Sequence, residues 1–312
     1  MNWITKIIQA GKNIKQNLHE RVTKAEIETR DWVACCNGPI ERKLLKENQW
    51  VCPFCSRHFR IKPTGEDSRF KYTFDDGVYE VIKTPMPKDD PLGFEDTKPY
   101  KQRLKDARKK TNLDCSMVVA TGNIKKIPTT VVASDFDFLG ASIEAAEGEA
   151  ILFAAQYSIE NKQPLLICTS GGGMRMQASM ISLSQMPRSI LAINELKKHN
   201  LPYIVLLTDP TAGGITASYA MVGDIHIAEP GALIAFAGAR VIQGTVKEEL
   251  PENFQKSEYV QKTGFVDLIV ERKDLPKKIG TLLSILLKKN SAISTDENET
   301  TENTQSLSKV AS

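Results

Sequence analysis

From about residue 115 onward, apolar residues of this chain form short runs that are separated by glycine, proline and polar residues. Several runs have the length of a buried strand, whereas the segments between them carry apolar residues at helical spacing. The predicted strands are 117–120, 128–133, 164–168, 203–207, 225–228 and 233–238, and the predicted helices are 136–160, 177–199, 215–220 and 275–289. Strands that alternate with helices indicate an α/β core with crossover connections, here with a hairpin between the first two strands.

Two of these strands lead into loops rich in glycine, at residues 170–173 and 213–214. Each loop precedes a predicted helix. Glycine lets the backbone approach a ligand closely, and the N–H groups at the start of a helix carry partial positive charge. Two such loops facing one cavity would supply a pair of N–H clusters, which is what a reaction through a thioester enolate needs.

The pattern is weaker in the N-terminal third of the chain and at its C-terminus. Residues 1–30 carry apolar residues at roughly helical spacing, which predicts a docking arm; a membrane-surface helix is less favoured because glutamates dilute the positive charge. Residues 63–100, rich in proline, aspartate and lysine, predict a surface connection with a short strand at 78–82. A Lys/Arg-rich helix is expected over 100–111, with either a solvated face or a basic patch for nucleotide phosphates. Residues 291–312 predict a disordered tail.

Composition and charge exclude several classes of protein. A length of 312 residues allows one large domain and a small one. The 41 basic and 38 acidic residues nearly balance, so the whole-chain charge does not argue for nucleic acid. No apolar run approaches the roughly 18 residues that span a bilayer, and the N-terminus lacks the features of a signal peptide. We therefore expect a protein of the reducing cytoplasm without a membrane partner.

Cysteines cluster between residues 35 and 55, where four of the six lie. Cys52 and Cys55 form a C-x-x-C knuckle, and fifteen residues separate Cys36 from Cys52, which is in the range for a zinc ribbon. Zinc prefers four tetrahedral thiolate or imidazole ligands. Residues 31–62 are therefore predicted to form a zinc ribbon whose candidate ligands are Cys35, Cys36, Cys52 and Cys55.

The first knuckle of this ribbon is irregular, because Val33 stands where a further cysteine is expected. Three alternatives follow. Cys35 substitutes for the missing ligand, His58 completes the site, or the ribbon binds metal poorly or not at all. In the last case the thiols are simply buried in a small hairpin.

Longer segments of the chain match one pattern in order. They are Trp32, the knuckle at 52–55, Ser170-Gly171-Gly172, Arg175-Met176-Gln177, and the segments 182–186, 207–214, 228–234, 236–242 and 250–259. From about Trp32 to Leu287, the chain thereby resembles one family, the carboxyltransferase beta subunits of bacterial acetyl-CoA carboxylase.

The resemblance implies a fold and a set of partners. The fold would be a zinc ribbon, residues 31–62, followed by a crotonase-like α/β core of repeated ββα units over 63–290. The chain would form an α2β2 heterotetramer with an alpha subunit of related fold, with the active site at their interface. Biotin would come on a separate biotin carboxyl carrier protein that biotin carboxylase serves. This chain has neither a biotinyl-lysine context nor a P-loop.

The implied reaction is carboxyl transfer from carboxybiotin to acetyl-CoA, giving malonyl-CoA for fatty acid synthesis. Because carbonyl oxygens gain negative charge, backbone N–H donors suffice, in keeping with the lack of an obvious catalytic His, Ser or Cys constellation. By the resemblance, the candidate catalytic residues are Gly171, Gly172, Gly213 and Gly214, and the candidate substrate-binding residues are Arg175, Gly173, Gly238 and Arg240.

Two alternative functions remain open at this stage. The chain could act on another acyl-CoA such as propionyl-CoA, although the ribbon and the chain length favour acetyl-CoA. Alternatively, the ribbon could bind nucleic acid through Arg57, His58, Arg60 and Lys62, in which case binding would depend on salt. A large domain with two glycine loops would have no purpose in binding alone.

Overall fold

The computed structural model of the chain describes residues 31–35, 38–247 and 249–288, and the side chains of Arg240 and Val246 lie outside this description. The predicted arm (1–30), the predicted tail (291–312) and Cys36 also lie outside the described residues. No helix in the described ranges is both long and apolar enough to cross a membrane.

The described strands are β1 (Trp32–Cys35), β2 (Gly38–Glu41), β3 (Tyr79–Ile82), β4 (Met117–Ile124), β5 (Ile127–Ser134), β6 (Leu165–Gly171), β7 (Tyr203–Ala212), β8 (Ile225–Ala228), β9 (Ile234–Ala235) and β10 (Leu268–Ile269). The described helices are α1 (Arg42–Glu47), α2 (Arg69–Thr73), α3 (Tyr100–Thr111), α4 (Ala145–Asn161), α5 (Ser179–Lys198), α6 (Ala239–Val246), α7 (Ser257–Lys262) and α8 (Leu275–Leu286).

Within the described ranges, eight strands form one mixed sheet in the order β10-β8-β7-β6-β5-β4-β3, with β9 beside β7. Strands β5 to β8 and β10 are parallel, whereas β3, β4 and β5 pair antiparallel. Residues of α4 and α5 pack on one face of the sheet, and residues of α2 and α8 pack on the other. Because both faces are covered, β6 and β7 read as continuous apolar runs, which confirms the predicted strands there.

The predicted hairpin between β4 and β5 is confirmed. Lys125 and Lys126, between the two strands, have φ of 49° and 62°, the conformation of a tight turn that matches the strand twist. Their N–H groups donate to the Asp75 carboxylate at 2.8 and 2.7 Å. This carboxylate stabilises a turn that lysines do not favour by themselves.

Two predicted helices differ from the structure. The helix predicted from residue 136 begins at Ala145, because the Glu144 and Glu147 side chains form a capping box around its first turn. The helix predicted at 215–220 is wrong: the chain makes turns and a 3₁₀ turn there, Tyr219–Met221. The Ser218 hydroxyl donates to the Gly214 carbonyl at 2.6 Å, which favours a turn over a helix.

A buried ionic cluster joins the N-terminal region to the sheet domain. We call the described residues of 31–62, which include β1, β2 and α1, the N-terminal hairpin. The Arg272 guanidinium donates to the carbonyl of Gln49 at 2.8 Å and to that of Phe59 at 2.9 Å. It also donates to Glu229 at 2.8 and 2.9 Å, and Arg69 donates to the same carboxylate at 2.8 Å. Burial by itself would raise the pKa of Glu229, but the two guanidinium groups outweigh it and lower this pKa below its ordinary value. Residues 49–59 are therefore fixed to the sheet domain.

Candidate active site

The two glycine loops lie in direct contact. They follow β6 and β7, which are neighbouring parallel strands, so their carboxyl ends meet at one edge of the sheet. A Cβ added at Gly213 would lie 3.0 Å from the Gly172 carbonyl oxygen, and one added at Gly173 would lie 3.3 Å from the Gly214 nitrogen. Two backbones approach this closely only without side chains between them. The fold therefore brings the two glycine loops together, as the sequence predicted.

The backbone N–H groups of the two loops differ in their availability. The Gly172 N–H donates to the Gly140 carbonyl at 3.2 Å, and the Gly213 N–H donates to the carbonyls of Ala235 and Phe236, both at 3.1 Å. In the described part of the chain, no acceptor takes the N–H of Gly173 or of Gly214. The N–H groups of Gly173 and Gly214, at the contact between the loops, thus lack an acceptor in the described ranges, as do those of Met174 and Ile215, the next residues along the chain. Gly173 is buried and Gly214 is half-buried.

Gly171 has a structural reason to be glycine. Its φ is 153°, and an added Cβ would lie 2.5 Å from the Ala141 carbonyl oxygen and 2.6 Å from Ile215 Cδ1. Gly171 is buried, so the close packing of Ala141 and Ile215 against the end of β6 requires glycine at this position.

The first loop is fixed by the segment that precedes α4. The Ile143 N–H donates to the Gly173 carbonyl at 2.9 Å, and the Arg175 N–H donates to the Ile143 carbonyl at 2.8 Å. These two bonds flank Met174 and hold it in a short parallel bridge with Ile143. The direction of the Gly173 carbonyl is therefore set by Ile143, which is far away in the sequence.

Arg175 lies inside the protein beneath this loop, with 2% of the residue exposed. Its guanidinium donates to the Ser142 carbonyl at 2.5 Å, Glu147 at 2.7 Å, Tyr100 at 3.1 Å and Glu144 at 3.3 Å. The guanidinium is therefore bonded to groups of the protein itself, whereas the sequence analysis named Arg175 as a candidate substrate-binding residue. It instead fixes the first loop to α4 and α3.

The partners of Arg175 are residues that the sequence analysis missed. Burial by itself would raise the pKa of Glu147, but Arg175 outweighs it and lowers this pKa. For Glu144 burial prevails, and its pKa is raised in spite of Arg175. The spacing of the two glutamates, three residues apart at a helix start, is the signal that could have revealed the capping box.

The remaining predicted substrate-binding residues lie beyond the second loop. Gly238 is exposed and precedes α6, and its carbonyl accepts the N–H groups of Val241 and Ile242 at 2.9 and 3.2 Å. The side chain of Arg240 lies outside the described residues. Both positions are connected to the second loop through Phe236, whose carbonyl accepts the Gly213 N–H.

An exposed apolar surface flanks the two loops. Phe236 and Phe265 are 69% and 64% exposed, and they line an open groove with Tyr259, Val260 and the residues 216–217 that follow the second loop. The turn after the first loop and helix α5 also expose apolar side chains, those of Met176, Met180, Leu183 and Leu191. We call these two sets together the site surface. Exposed apolar patches are a common feature of surfaces that bind other molecules.

Three of the predicted metal ligands come together in the hairpin. The Sγ atoms of Cys35, Cys52 and Cys55 all lie within 4.8 Å of one another, and those of Cys35 and Cys55 are 3.3 Å apart. Zinc–sulfur bonds of about 2.3 Å in a tetrahedron separate the sulfurs by about 3.8 Å, so the donor set fits zinc. Cys36, the fourth predicted ligand, lies outside the described residues.

His58 does not belong to this cluster. Its Nδ1 lies 3.0 Å from the Ser56 carbonyl, and its Nε2 accepts the Arg272 N–H at 3.4 Å. Burial lowers the pKa of His58, in keeping with a neutral ring. The alternative in which His58 completes the metal site therefore does not match this geometry.

Comparison with known proteins identifies similar chains. A family model described as the carboxyl transferase domain matches residues 92–310. The chain is 66% identical, over the full length of both chains, to the acetyl-coenzyme A carboxylase carboxyl transferase subunit beta of Pelagibacter ubique (strain HTCC1062). It is 49% identical to the protein of the same name from Caulobacter vibrioides (strain NA1000 / CB15N), over 85% of each chain.

Solved structures with low sequence identity share the fold. The transcarboxylase 12S chain has a TM-score of 0.56 at 19% identity, over 69% of this chain and 40% of that one. A chain of the hetero-dimeric Pseudomonas malonate decarboxylase has a TM-score of 0.53 at 19% identity, over 73% and 88%. The sheet with helices on both faces is therefore the crotonase-like α/β architecture that the resemblance implied.

Proposed function

This chain belongs to the family of the beta subunits of acetyl-coenzyme A carboxylase carboxyl transferase, and from that premise we propose that its two glycine loops bind the thioester carbonyl of acetyl-CoA. The subunit is a carboxyltransferase. The observation that supports our assignment is the pair of N–H groups, Gly173 and Gly214, that lack an acceptor in the described ranges where the loops meet.

The role of the loops follows from where charge develops. Removal of an α-proton from the acetyl group places negative charge on the thioester oxygen. A donor already aimed at that oxygen stabilises it without reorganisation, and each such donor contributes on the order of 3 kcal/mol. Gly172 and Gly213, whose N–H groups are bonded within the protein, set the position of the neighbouring peptides.

The carboxyl group would be supplied by biotin on a carrier protein. In our proposal, an alpha subunit makes most of the contacts to this carboxybiotin. The site surface supports such a partner, because the segments that follow both glycine loops expose apolar residues. We propose that the alpha subunit covers the site surface in an α2β2 assembly, with biotin carboxylase acting on the same carrier protein. We place this assembly in the cytoplasm, where thiols stay reduced.

The zinc in our proposal is structural. Cys35, Cys52 and Cys55 would hold it, and Cys36 is the proposed fourth ligand. A closed site of this kind stabilises a small hairpin that has little core of its own. We propose residues 31–62 as the ribbon and 63–290 as the carboxyltransferase domain.

The ribbon gives little support to nucleic acid binding. His58 is buried against Arg272, and Arg60 is bonded to Asp209 of the sheet domain. Two of the four residues expected to contact phosphates thus face the protein itself. We therefore propose no second function.

The test is malonyl-CoA-dependent carboxylation of free biotin, the reverse reaction, by the chain assembled with its alpha subunit. We expect turnover with both chains together and none with either chain alone. Gly173→Ala should lower kcat about a hundredfold or more, because φ is 122° there and the added Cβ would lie 3.3 Å from the Gly214 nitrogen.

Gly172→Ala is the matched control, since an added Cβ there meets no atom within 4 Å and φ is ordinary. We expect a much smaller loss of kcat for Gly172→Ala, with the wild-type melting temperature, whereas the strained φ lowers the melting temperature of Gly173→Ala. Equal losses of kcat in the two variants would contradict our assignment of the donors.

A further inference from the structure

One side chain of the ribbon reaches across to the end of β7. Arg60 donates from Nε to the Asp209 carbonyl at 3.0 Å, and its Nη2 lies 3.5 Å from the Asp209 carboxylate. Its guanidinium also lies 3.8 Å from the centre of the Phe136 ring, within the range of a cation–π contact. Arg60 therefore holds both the main chain and the side chain of a residue that belongs to the other domain.

Asp209 stands four residues before Gly213 and organises the segment that leads to it. Its Oδ1 accepts the Leu233 N–H at 3.0 Å, and the Thr211 N–H donates to the Leu233 carbonyl at 2.8 Å. These bonds align residues 233–236 beside the end of β7. The Gly213 N–H then bonds to the carbonyls of that same segment. A short series of hydrogen bonds thus connects Asp209 to the residue before Gly214.

The main chain of the ribbon next to Arg60 is also fixed to the sheet domain. Phe59, the residue before Arg60, gives its carbonyl to Arg272 at 2.9 Å. Arg272 is buried and paired with Glu229. The main chain next to Arg60 is therefore fixed to the sheet domain. As a result, the bond from Arg60 to Asp209 can determine where Asp209 lies.

We propose that Arg60 is a positioning residue of the carboxyltransferase site, and that the ribbon orients the second glycine loop through the Arg60–Asp209 contact. This inference rests on the proposed function of Gly214. The contact is about half exposed, with 49% and 37% of the two side chains accessible, so it adds little to stability. A displacement near 1 Å at a reacting group can nevertheless lower the rate by about a hundredfold.

The test compares Arg60→Ala with Arg57→Ala in the assembled complex. Arg57 is an exposed arginine of the same ribbon, and it stacks on Phe59 rather than on the sheet domain. We expect Arg60→Ala to lower kcat by about tenfold to a hundredfold with little change in KM. Melting temperature and zinc content should stay equal in the two variants. Arg60→Lys, which keeps the charge but not the bidentate reach, should recover part of kcat.

Hydrogen–deuterium exchange supplies a readout that does not depend on activity. We expect amide exchange in residues 210–216 to rise in Arg60→Ala and not in Arg57→Ala. Unchanged exchange, or equal kcat in the two alanine variants, would overturn the positioning role. If the wild-type complex showed no carboxyl transfer, the proposed function would fail, and the exchange comparison would still decide whether Arg60 orients the loop.

Discussion

Glu229 and Glu147 are buried carboxylates, and each forms ion pairs with arginine. Glu229 bonds to Arg69 and Arg272, and Glu147 bonds to Arg175. Each pair connects distant parts of the chain, so that the residues around the glycine loops have fixed neighbours. Removing one partner of such a pair leaves a buried charge without compensation, which is more costly than losing a surface ion pair.

We expect Glu229→Gln to lower the free energy of unfolding by about 3 kcal/mol at pH 7, since two arginines then share an uncharged amide. The folded-state pKa of Glu229 is lowered, so the carboxylate contributes its full stability above the ordinary pKa of about 4.5. That contribution is lost as the pH falls further toward the folded-state pKa.

Urea unfolding of the wild type and of Glu229→Gln between pH 3 and pH 7 measures this effect. The difference between the two proteins should shrink in acid. Glu195→Gln is the control, because Glu195 pairs with Lys198 at the surface. A difference for Glu229→Gln that stays constant across the pH range would contradict the assignment.

The N-terminal hairpin depends on few interactions for its stability. The small core of this hairpin contains Ile40, Leu45 and Cys52, too few apolar groups to stabilise it well in isolation. Its other support is the cluster of thiols and the contacts of Arg272. A bound zinc would therefore stabilise the ribbon and, through Arg60, the second glycine loop.

We expect Cys55→Ser to reduce the zinc content well below one ion per chain, because the variant removes a thiolate from the cluster. Cys115→Ser is the control. Cys115 is buried in the core of the sheet domain, where burial raises its pKa to about 12, and it does not belong to the thiol cluster. Elemental analysis of the two purified variants decides the point, and a full zinc content in Cys55→Ser would refute the proposed ligand set.

At the scale of the whole molecule, the apolar residues are not all inside. The two layers of the core cover both faces of the sheet, yet the site surface leaves Met180, Phe236 and Phe265 more than half exposed. A partner subunit that covers this surface would also exclude water from the glycine loops, which strengthens their hydrogen bonds to a charged oxygen.

We expect Met180→Asp to weaken assembly with the alpha subunit at least tenfold, because a charge would be buried in an apolar interface. Ile285→Asp is the matched control, since Ile285 is equally exposed on α8, which packs on the opposite face of the sheet. Analytical ultracentrifugation of mixtures with the alpha subunit measures the difference. Equal assembly of the two variants would place the partner elsewhere.

The sequence by itself determined the elements whose signal is local. Buried parallel strands need apolar residues on both faces, so the runs at 164–168 and 203–207 identified β6 and β7. The glycine pairs identified the loops, and the cysteine spacing predicted the cluster of Cys35, Cys52 and Cys55. In each case the necessary chemistry is contained in a few neighbouring residues.

Only the tertiary structure decided what each loop residue does. Whether the N–H of Gly172 or of Gly173 is available depends on Gly140, and the burial of Arg175 depends on Tyr100 and Glu147. The contact of Arg60 with Asp209 joins residues 149 positions apart. Hydrogen bonds and burial of this kind arise from the packing of distant segments, for which a short sequence pattern carries no signal.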